Sequence, residues 1–393
     1  MARSRRPAVL RFVLVTAVAF AVQAALTVGA SALTTSAPAR SYIVVLKPGA
    51  AANLIASDHA ARFGADVRHV YRHALTGYAA RIPAVAVSRI ASDPRVALVE
   101  PDGLMRADTT QTNATWGLDR IDQRSLPLST TYGYTNTGSG VTAYILDTGM
   151  RFSHQDFGGR AVSGHDFISN DADATDCNGH GTHTGGTVGG STYGVAKQVK
   201  LVAVRVLDCS GSGATSVVIA GVDWVTGNHQ PGQPAVANMS LGGGTNSALD
   251  TAVKNSIDDG VAYSLSAGNG NLFGQAIDAC NQSPARVGEA MTISATNKQD
   301  SKPRWANYGN CVDWFAPGVG ITSAWYSSDT ATAVKDGTSM AAPHNAGVSA
   351  LYLQANPSAT PAQVRDALFA LTTKDKVGSS KTAAHNDLLF TNL

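Results

Sequence analysis

Cysteine is scarce in this 393-residue chain: four residues, Cys177, Cys209, Cys280 and Cys311, none of them in a C-x-x-C spacing. A zinc site would therefore lack its usual ligand pattern. Charge is thin as well. Asp, Glu, Lys and Arg make up 15% of the chain against 44% hydrophobic residues, ample for a large core and for more than one folding unit. There is no internal repeat and no low-complexity tract. One long uncharged apolar run, Phe12 to Val28, is short for a membrane anchor, and no second follows it. Net charge is only +2, but it is unevenly spread. Residues 1–106 carry 13 Lys and Arg against 5 Asp and Glu, and the remainder 17 against 23. The larger, mildly acidic part argues against nucleic acid as a partner.

What is present begins with an export signal. Arg3, Arg5, Arg6 and Arg11 precede the apolar run, and Ala30-Ser31-Ala32 offers an A-x-A cleavage site. Residues 1–32 are expected to be a signal peptide and the mature protein to be extracellular. Arg5-Arg6 hints at twin-arginine export, but Pro7 and Ala8 follow poorly, so the general secretory route is expected. An oxidising destination and an even cysteine count predict two disulfides. Of the three pairings, Cys177–Cys209 with Cys280–Cys311 is favoured because each closes one local loop.

Residues 41–101 read as a small separate unit. Strands are predicted at 41–46, 67–71, 77–82 and 96–100, with helices over 50–63 and 84–91. That βαββαβ order is ferredoxin-like. A polar stretch, 104–115, reads as a linker. From Trp116 the pattern becomes strand–helix–strand. Apolar runs at 141–146, 201–207, 235–239, 261–266 and 291–295 alternate with helical stretches at 181–189, 214–227 and 247–258, followed by 339–354 and 361–371. Continuous apolar strands between helices imply an α/β fold, a doubly wound and mostly parallel sheet flanked by helices. Such sheets place their sites at the carboxyl ends of strands.

Three polar motifs fall at such places. In Tyr144-Ile-Leu-Asp147-Thr-Gly149 an acid ends an apolar strand. Alone it reads equally as a capping or metal-binding aspartate. In Asn178-Gly-His180-Gly-Thr-His183 glycines flank a histidine that opens a helix. This is either a structural histidine or a metal pair, although H-x-x-H lacks the Glu and the spacing of a zincin. In Gly337-Thr-Ser339-Met-Ala-Ala-Pro343-His344 a serine starts a long helix, where backbone N–H groups favour developing negative charge. An isolated serine there would merely cap. Together the three supply a nucleophile, a base and an orienting carboxylate, in a chain order known for serine hydrolases.

These motifs resemble the three signature segments of subtilisin-like serine proteases, with closest likeness to the aqualysin-like members of the proteinase K branch, from Trp116 to about Pro357. The resemblance implies a secreted, broad-specificity serine endopeptidase with Asp147, His180 and Ser339 as its triad. Asn269, in Ser266-Ala-Gly-Asn269, would complete the oxyanion hole. Ser240-Leu241-Gly242 and Ser266-Ala267-Gly268 would wall the pocket for the residue before the cut. Gly211-Ser212-Gly213 would pair with an extended peptide. Residues 33–106 resemble the inhibitor propeptide of the family, an intramolecular inhibitor and folding aid, leaving 107–393 as the peptidase domain. Peptides, proteins and its own propeptide are the implied partners of a monomer. Two structural calcium sites are implied: one at Asp313 with the carbonyls of Gly288 and Ala290, the other at Asp119, Asp122 and Gln123. Turn-capping surface aspartates are the alternative. The family spacing also supports the local disulfide pairing.

The chain departs from the family pattern at several places. Asn345 stands where an apolar residue is usual, and an unpaired buried amide would cost about 1–3 kcal/mol. Asp336 replaces a serine, Gly288 replaces a proline, Thr184-Gly-Gly186 follows His183, and Ser264 makes its strand more polar. Two other functions stay open on the residues alone: a metallopeptidase using His180 and His183, and a non-catalytic binding protein on a protease scaffold.

Overall fold

A computed structural model describes residues 39–103, 109–271, 273–380 and 386–393. The leader read over residues 1–32 and the processing junction expected near residue 106 lie outside the described residues. The chain divides into two compact units, Met1–Met105 and Arg106–Leu393.

The first unit runs β1 (Arg40–Leu46), α1 (Ala52–Phe63), β2 (Asp66–Tyr71), β3 (Gly77–Ile82), α2 (Ala84–Ala91) and β4 (Val96–Pro101). Its four strands form an antiparallel sheet in the order β2-β3-β1-β4. α1 stops at Gly64, whose left-handed backbone lets its N–H close on the Ala60 carbonyl. Val44, Ile55, Tyr78, Ile82 and Ile90 lie in its own buried core.

The second unit opens with β5 (Thr109–Thr112), α3 (Trp116–Ile121) and β6 (Thr131–Tyr134), the two strands pairing antiparallel. There follow β7 (Thr142–Asp147), β8 (Ala161–Asp166), α4 (His180–Gly189), β9 (Lys200–Arg205), α5 (Thr215–Asn228) and β10 (Ala235–Met239). Next come β11 (Gly243–Gly244), α6 (Ser247–Asp258), β12 (Val261–Ser266), β13 (Gln282–Ser283), β14 (Met291–Thr296) and β15 (Trp314–Pro317). The hairpin β16 (Ile321–Ala324) and β17 (Thr332–Lys335) leads into α7 (Thr338–Ala355) and α8 (Pro361–Leu371).

Seven of these strands make one parallel sheet, ordered β15-β14-β12-β10-β7-β9-β8. Side chains alternate across it. In β7, Ala143 and Ile145 join the core beneath α4 and α7, while Tyr144 and Leu146 face α5 and α6. Both faces are thus covered, which is why these strands read as unbroken apolar runs. Chain order reverses around β7, the arrangement that opens a crevice at the carboxyl ends. The sequence pattern found five of the seven strands. The other two, β8 and β15, are the edges. β8 (Ala-Val-Ser-Gly-His-Asp) is largely polar, and β15 has only four residues and ends in proline.

α7 is buried on nearly every side, so it shows no amphipathic stripe. Asn345, fully buried on this helix, is paired: Oδ1 accepts from Trp314 Nε1 at 3.1 Å and Nδ2 donates to Ser264 Oγ at 3.0 Å. The two unusual polar residues, Asn345 and Ser264, account for one another. Disulfides join Cys177 to Cys209 and Cys280 to Cys311.

Candidate active site

Asp147, the last residue of β7, is wholly buried. Its Oδ1 accepts the Thr148 N–H at 2.8 Å and lies 2.7 Å from His180 Nδ1. A carboxylate can only accept, so Nδ1 carries the proton and Nε2 is left as the basic nitrogen. His180 is the first residue of α4, after Gly179 at φ 109°. A Cβ at Gly179 would fall 2.5 Å from the Trp325 ring, so glycine is required there for backbone and space together. Burial by itself lowers the basicity of His180. The Asp147 charge, the hydrogen bond to it and nearby Asp176 outweigh that and leave the pKa raised, with Lys335 opposing weakly.

Asp176 was not singled out in the sequence. It is buried, and it ties the two segments together. Oδ1 accepts from Thr148 Oγ1 and from the N–H groups of Asn178 and Gly179, all at 2.9 Å. Oδ2 accepts from Thr182 N at 2.9 Å and Thr182 Oγ1 at 2.6 Å. The end of β7 and the start of α4 are therefore pinned by one carboxylate.

Ser339 is the second residue of α7 and is buried. Its Oγ donates to the Ser240 carbonyl at 3.1 Å, while Ser240 Oγ donates to the Ser339 carbonyl at 2.8 Å. Asn238 Nδ2 supports Ser240 Oγ at 3.0 Å. Asn269 follows β12. Its Oδ1 accepts from Thr338 N at 2.8 Å and Thr338 Oγ1 at 3.0 Å. The carbonyl end of the amide is thereby occupied and Nδ2 is left as a free donor beside the serine loop. Asn307 braces this segment, accepting from Gly270 N at 2.9 Å and donating to the Ala267 carbonyl at 2.8 Å. No spacing in the sequence marks Asn307 or Thr338 for these tasks.

A cleft of about 510 Å³ is lined by His180 together with Ser210 to Gly213, Ser240 to Gly244, Leu207, Leu249 and Ser283. Gly211, Ser212, Gly213, Ser240, Leu241 and Gly242 are thus brought to one cavity with the histidine. Ser266, Ala267 and Gly268 do not line it, although Ser266 Oγ lies 3.4 Å from the Leu241 carbonyl. Asp208 holds the 210–213 edge in a tight turn, accepting from Ser210 N at 2.8 Å and Ser212 N at 3.0 Å. The Cys177–Cys209 disulfide ties this edge to the His180 segment.

His183 does not converge with His180 on a shared ligand. Its Nε2 bonds the carbonyls of Ile321 and Ala333, at 3.0 and 3.2 Å, and so fastens the β16–β17 hairpin to α4. Burial takes its pKa down to about 4, so it is neutral in ordinary media. Among the described residues the only group of three or more acid, histidine or cysteine side chains close enough to share a metal ion is Asp58, His59 and Asp93, far from these motifs in the chain.

The two implied calcium groups differ. Asp119 Oδ1 accepts from Ser129 N and Oγ, and Oδ2 from Thr130 N, at 2.7–3.0 Å. Asp122 Oδ2 accepts from Gly133 N at 2.6 Å, but its Oδ1 is shielded and without a partner. Burial pushes Asp122 up to about 6, against the Gly133 hydrogen bond and with help from the Asp119 charge. Gln123 sits alongside, its Nε2 on the Ser125 and Pro127 carbonyls. An orphaned carboxylate oxygen beside a second carboxylate fits a hard cation. The Asp313 group does not fit as arranged. Arg365 Nη2 donates to Asp313 Oδ1 at 2.9 Å and Nη1 to the Gly288 carbonyl at 2.5 Å. Two of the oxygens read as ligands are already engaged by a cation of the chain itself.

Residues 138–386 match the subtilase family, and residues 41–108 match the peptidase inhibitor I9 family. An extracellular serine proteinase of Thermus sp. (strain Rt41A) is 55% identical over 328 residues, 84% of this chain and 78% of that protein. Alkaline serine exoprotease A of Vibrio alginolyticus is 51% identical over 334 residues, 84% of this chain but only 61% of that longer protein. A solved cold adapted subtilisin-like serine proteinase superposes with a TM-score of 0.68 at 54% identity, covering 72% of this chain and 100% of that one. No helix of the described residues is long and apolar enough to cross a membrane. Family and fold thus agree, and the chain belongs to the subtilases, as a serine endopeptidase of the subtilisin type that follows an I9 inhibitor segment.

Proposed function

We propose that Asp147, His180 and Ser339 act as one triad, cutting peptide bonds through an acyl-enzyme. The observation that carries this reading is the 2.7 Å contact of His180 with a buried carboxylate, in a cleft whose wall at Ser240 is hydrogen-bonded to Ser339. Ser339 Oγ attacks the scissile carbonyl carbon and its proton passes to His180 Nε2. Asp147 holds the imidazolium that results. The oxyanion is received by Asn269 Nδ2 and the Ser339 N–H. Collapse expels the amine, protonated by His180. Water then repeats the sequence on the ester and frees the acid. Extended substrates pair with the 211–213 edge by backbone hydrogen bonds, so selection by side chain is weak. Ser240–Gly242 and Ser266–Gly268 flank the residue before the cut.

The same reading extends to the precursor. Residues 1–32 direct export, 33–106 inhibit and assist folding, and the monomeric domain 107–393 is released by its own cut near residue 106. Asp119, Asp122 and Gln123 would hold a calcium ion that neutralises the charge of the two aspartates and stabilises the fold. The chemical steps are all supplied by the triad and Asn269. The test is intact mass of the secreted protein from wild type and from Ser339→Ala. Wild type should appear as the mature domain, labelled once by a sulfonyl fluoride at Ser339. Ser339→Ala should appear as the unlabelled, leader-free precursor. Normal maturation of that variant in a host without other proteases would overturn the reading.

A further inference from the structure

One corner of the peptidase unit gathers the oxygens a hard cation needs, yet the chain supplies the charge itself. Asp313 precedes β15, and Gly288 and Ala290 precede β14. Arg365 reaches them from α8. Its two terminal nitrogens divide between Asp313 Oδ1, at 2.9 Å, and the Gly288 carbonyl, at 2.5 Å. Asp313 Oδ2 takes the Thr292 N–H at 2.8 Å. The Asp313 side chain is only 15% exposed and that of Arg365 38%. Both carboxylate oxygens are therefore engaged, and the pair is neutral. A guanidinium is a permanent cation with planar, forked donors, suited to bridging a carboxylate and a carbonyl. A divalent ion at these oxygens would have to displace it and then sit beside its charge.

We propose that Arg365 is a resident replacement for a metal ion at this corner, fastening the segment at Gly288 to Asp313 so that no calcium binds there. The bridge crosses three pieces of chain remote in sequence, α8, the Gly288 segment and Asp313, as a bound ion would. It differs from an ion in one respect: a side chain cannot be removed by a chelator. The inference stands apart from the catalytic reading, because ion binding can be counted on enzyme that turns nothing over.

The experiment uses the mature enzyme with its reactive serine blocked, stripped of metal and titrated with calcium chloride by equilibrium dialysis. Wild type and Asp313→Asn should take up the same number of ions. Arg365→Ser should take up one more, and its unfolding temperature should climb more steeply with calcium concentration. The added ion should vanish in the double variant Asp313→Asn with Arg365→Ser. If Asp313→Asn binds one ion fewer than wild type, the proposal is overturned. It is overturned equally if a folded Arg365→Ser gains none. Should Arg365→Ser fail to fold, the comparison of wild type with Asp313→Asn decides alone. The ion proposed at Asp119 and Asp122 is expected in all these proteins, and its loss in Asp122→Asn serves as the internal reference.

Discussion

In the proposed triad His180 has to be uncharged to take the Ser339 proton, and its neighbours work against that. Asp147 and Asp176 hold its pKa above the ordinary imidazole value of about 6.5. The neutral form then gains only as pH rises past that raised value. The acid limb of kcat/KM should lie above 6.5 and the activity should hold into alkali. Asp176→Asn removes one of the two negative charges, so the same limb should move to lower pH. A limb that stays put would mean that Asp176 only braces the backbone. Asp147→Asn should cost about 10⁴ in rate by analogy with a comparable triad. Adding it to Ser339→Ala should change little further, because the groups act as a unit. Asn269→Ala should lower kcat by about 10²–10³, since its free Nδ2 meets negative charge only near the transition state. Far from the chemistry, Asn345→Ala strands the indole N–H of Trp314. It should destabilise by about 1–3 kcal/mol in denaturant unfolding, and Ser264→Ala should be non-additive with it.

At the scale of elements, the parts legible in the sequence were those with a repeating or punctuated signal. α6, α8 and β10 follow from apolar periodicity and flanking turns, and Asp147, His180 and Ser339 from glycines at element ends. What escaped has no such signal. The reciprocal Ser240–Ser339 bonds, the Asp176 clamp and the Arg365 bridge join residues distant in the chain through polar contacts, which carry no period. Asn345 looked like a liability for the same reason, since its partner Trp314 lies on a short edge strand that the pattern did not reveal. β4 of the first unit ends at Pro101, shortly before the junction proposed near residue 106. A peptide spanning residues 41–106 is expected to inhibit the mature enzyme competitively by laying that tail along the 211–213 edge. Non-competitive inhibition would place its contact elsewhere.

For the whole molecule, calcium and catalysis should separate. Chelation is expected to lower the unfolding temperature and hasten autolysis, with initial rates nearly unchanged. Asp122→Asn should abolish most of that calcium response. An immediate loss of rate at constant unfolding temperature would instead place the ion in the chemistry. The cleft itself carries a further consequence. Among the described residues that line it there is no Asp, Glu, Lys or Arg; serines, glycines and leucines dominate around His180. The lining itself therefore selects against neither sign of substrate charge at contact, and long-range steering is left to the net acidity of residues 107–393 and to Asp208 behind the 210–213 edge. Fresh water and brine should then differ for this enzyme only through screening of that outer field. Of two peptides matched in shape but opposite in net charge, the cationic one should have the higher kcat/KM at low ionic strength, and the two should converge as salt is added.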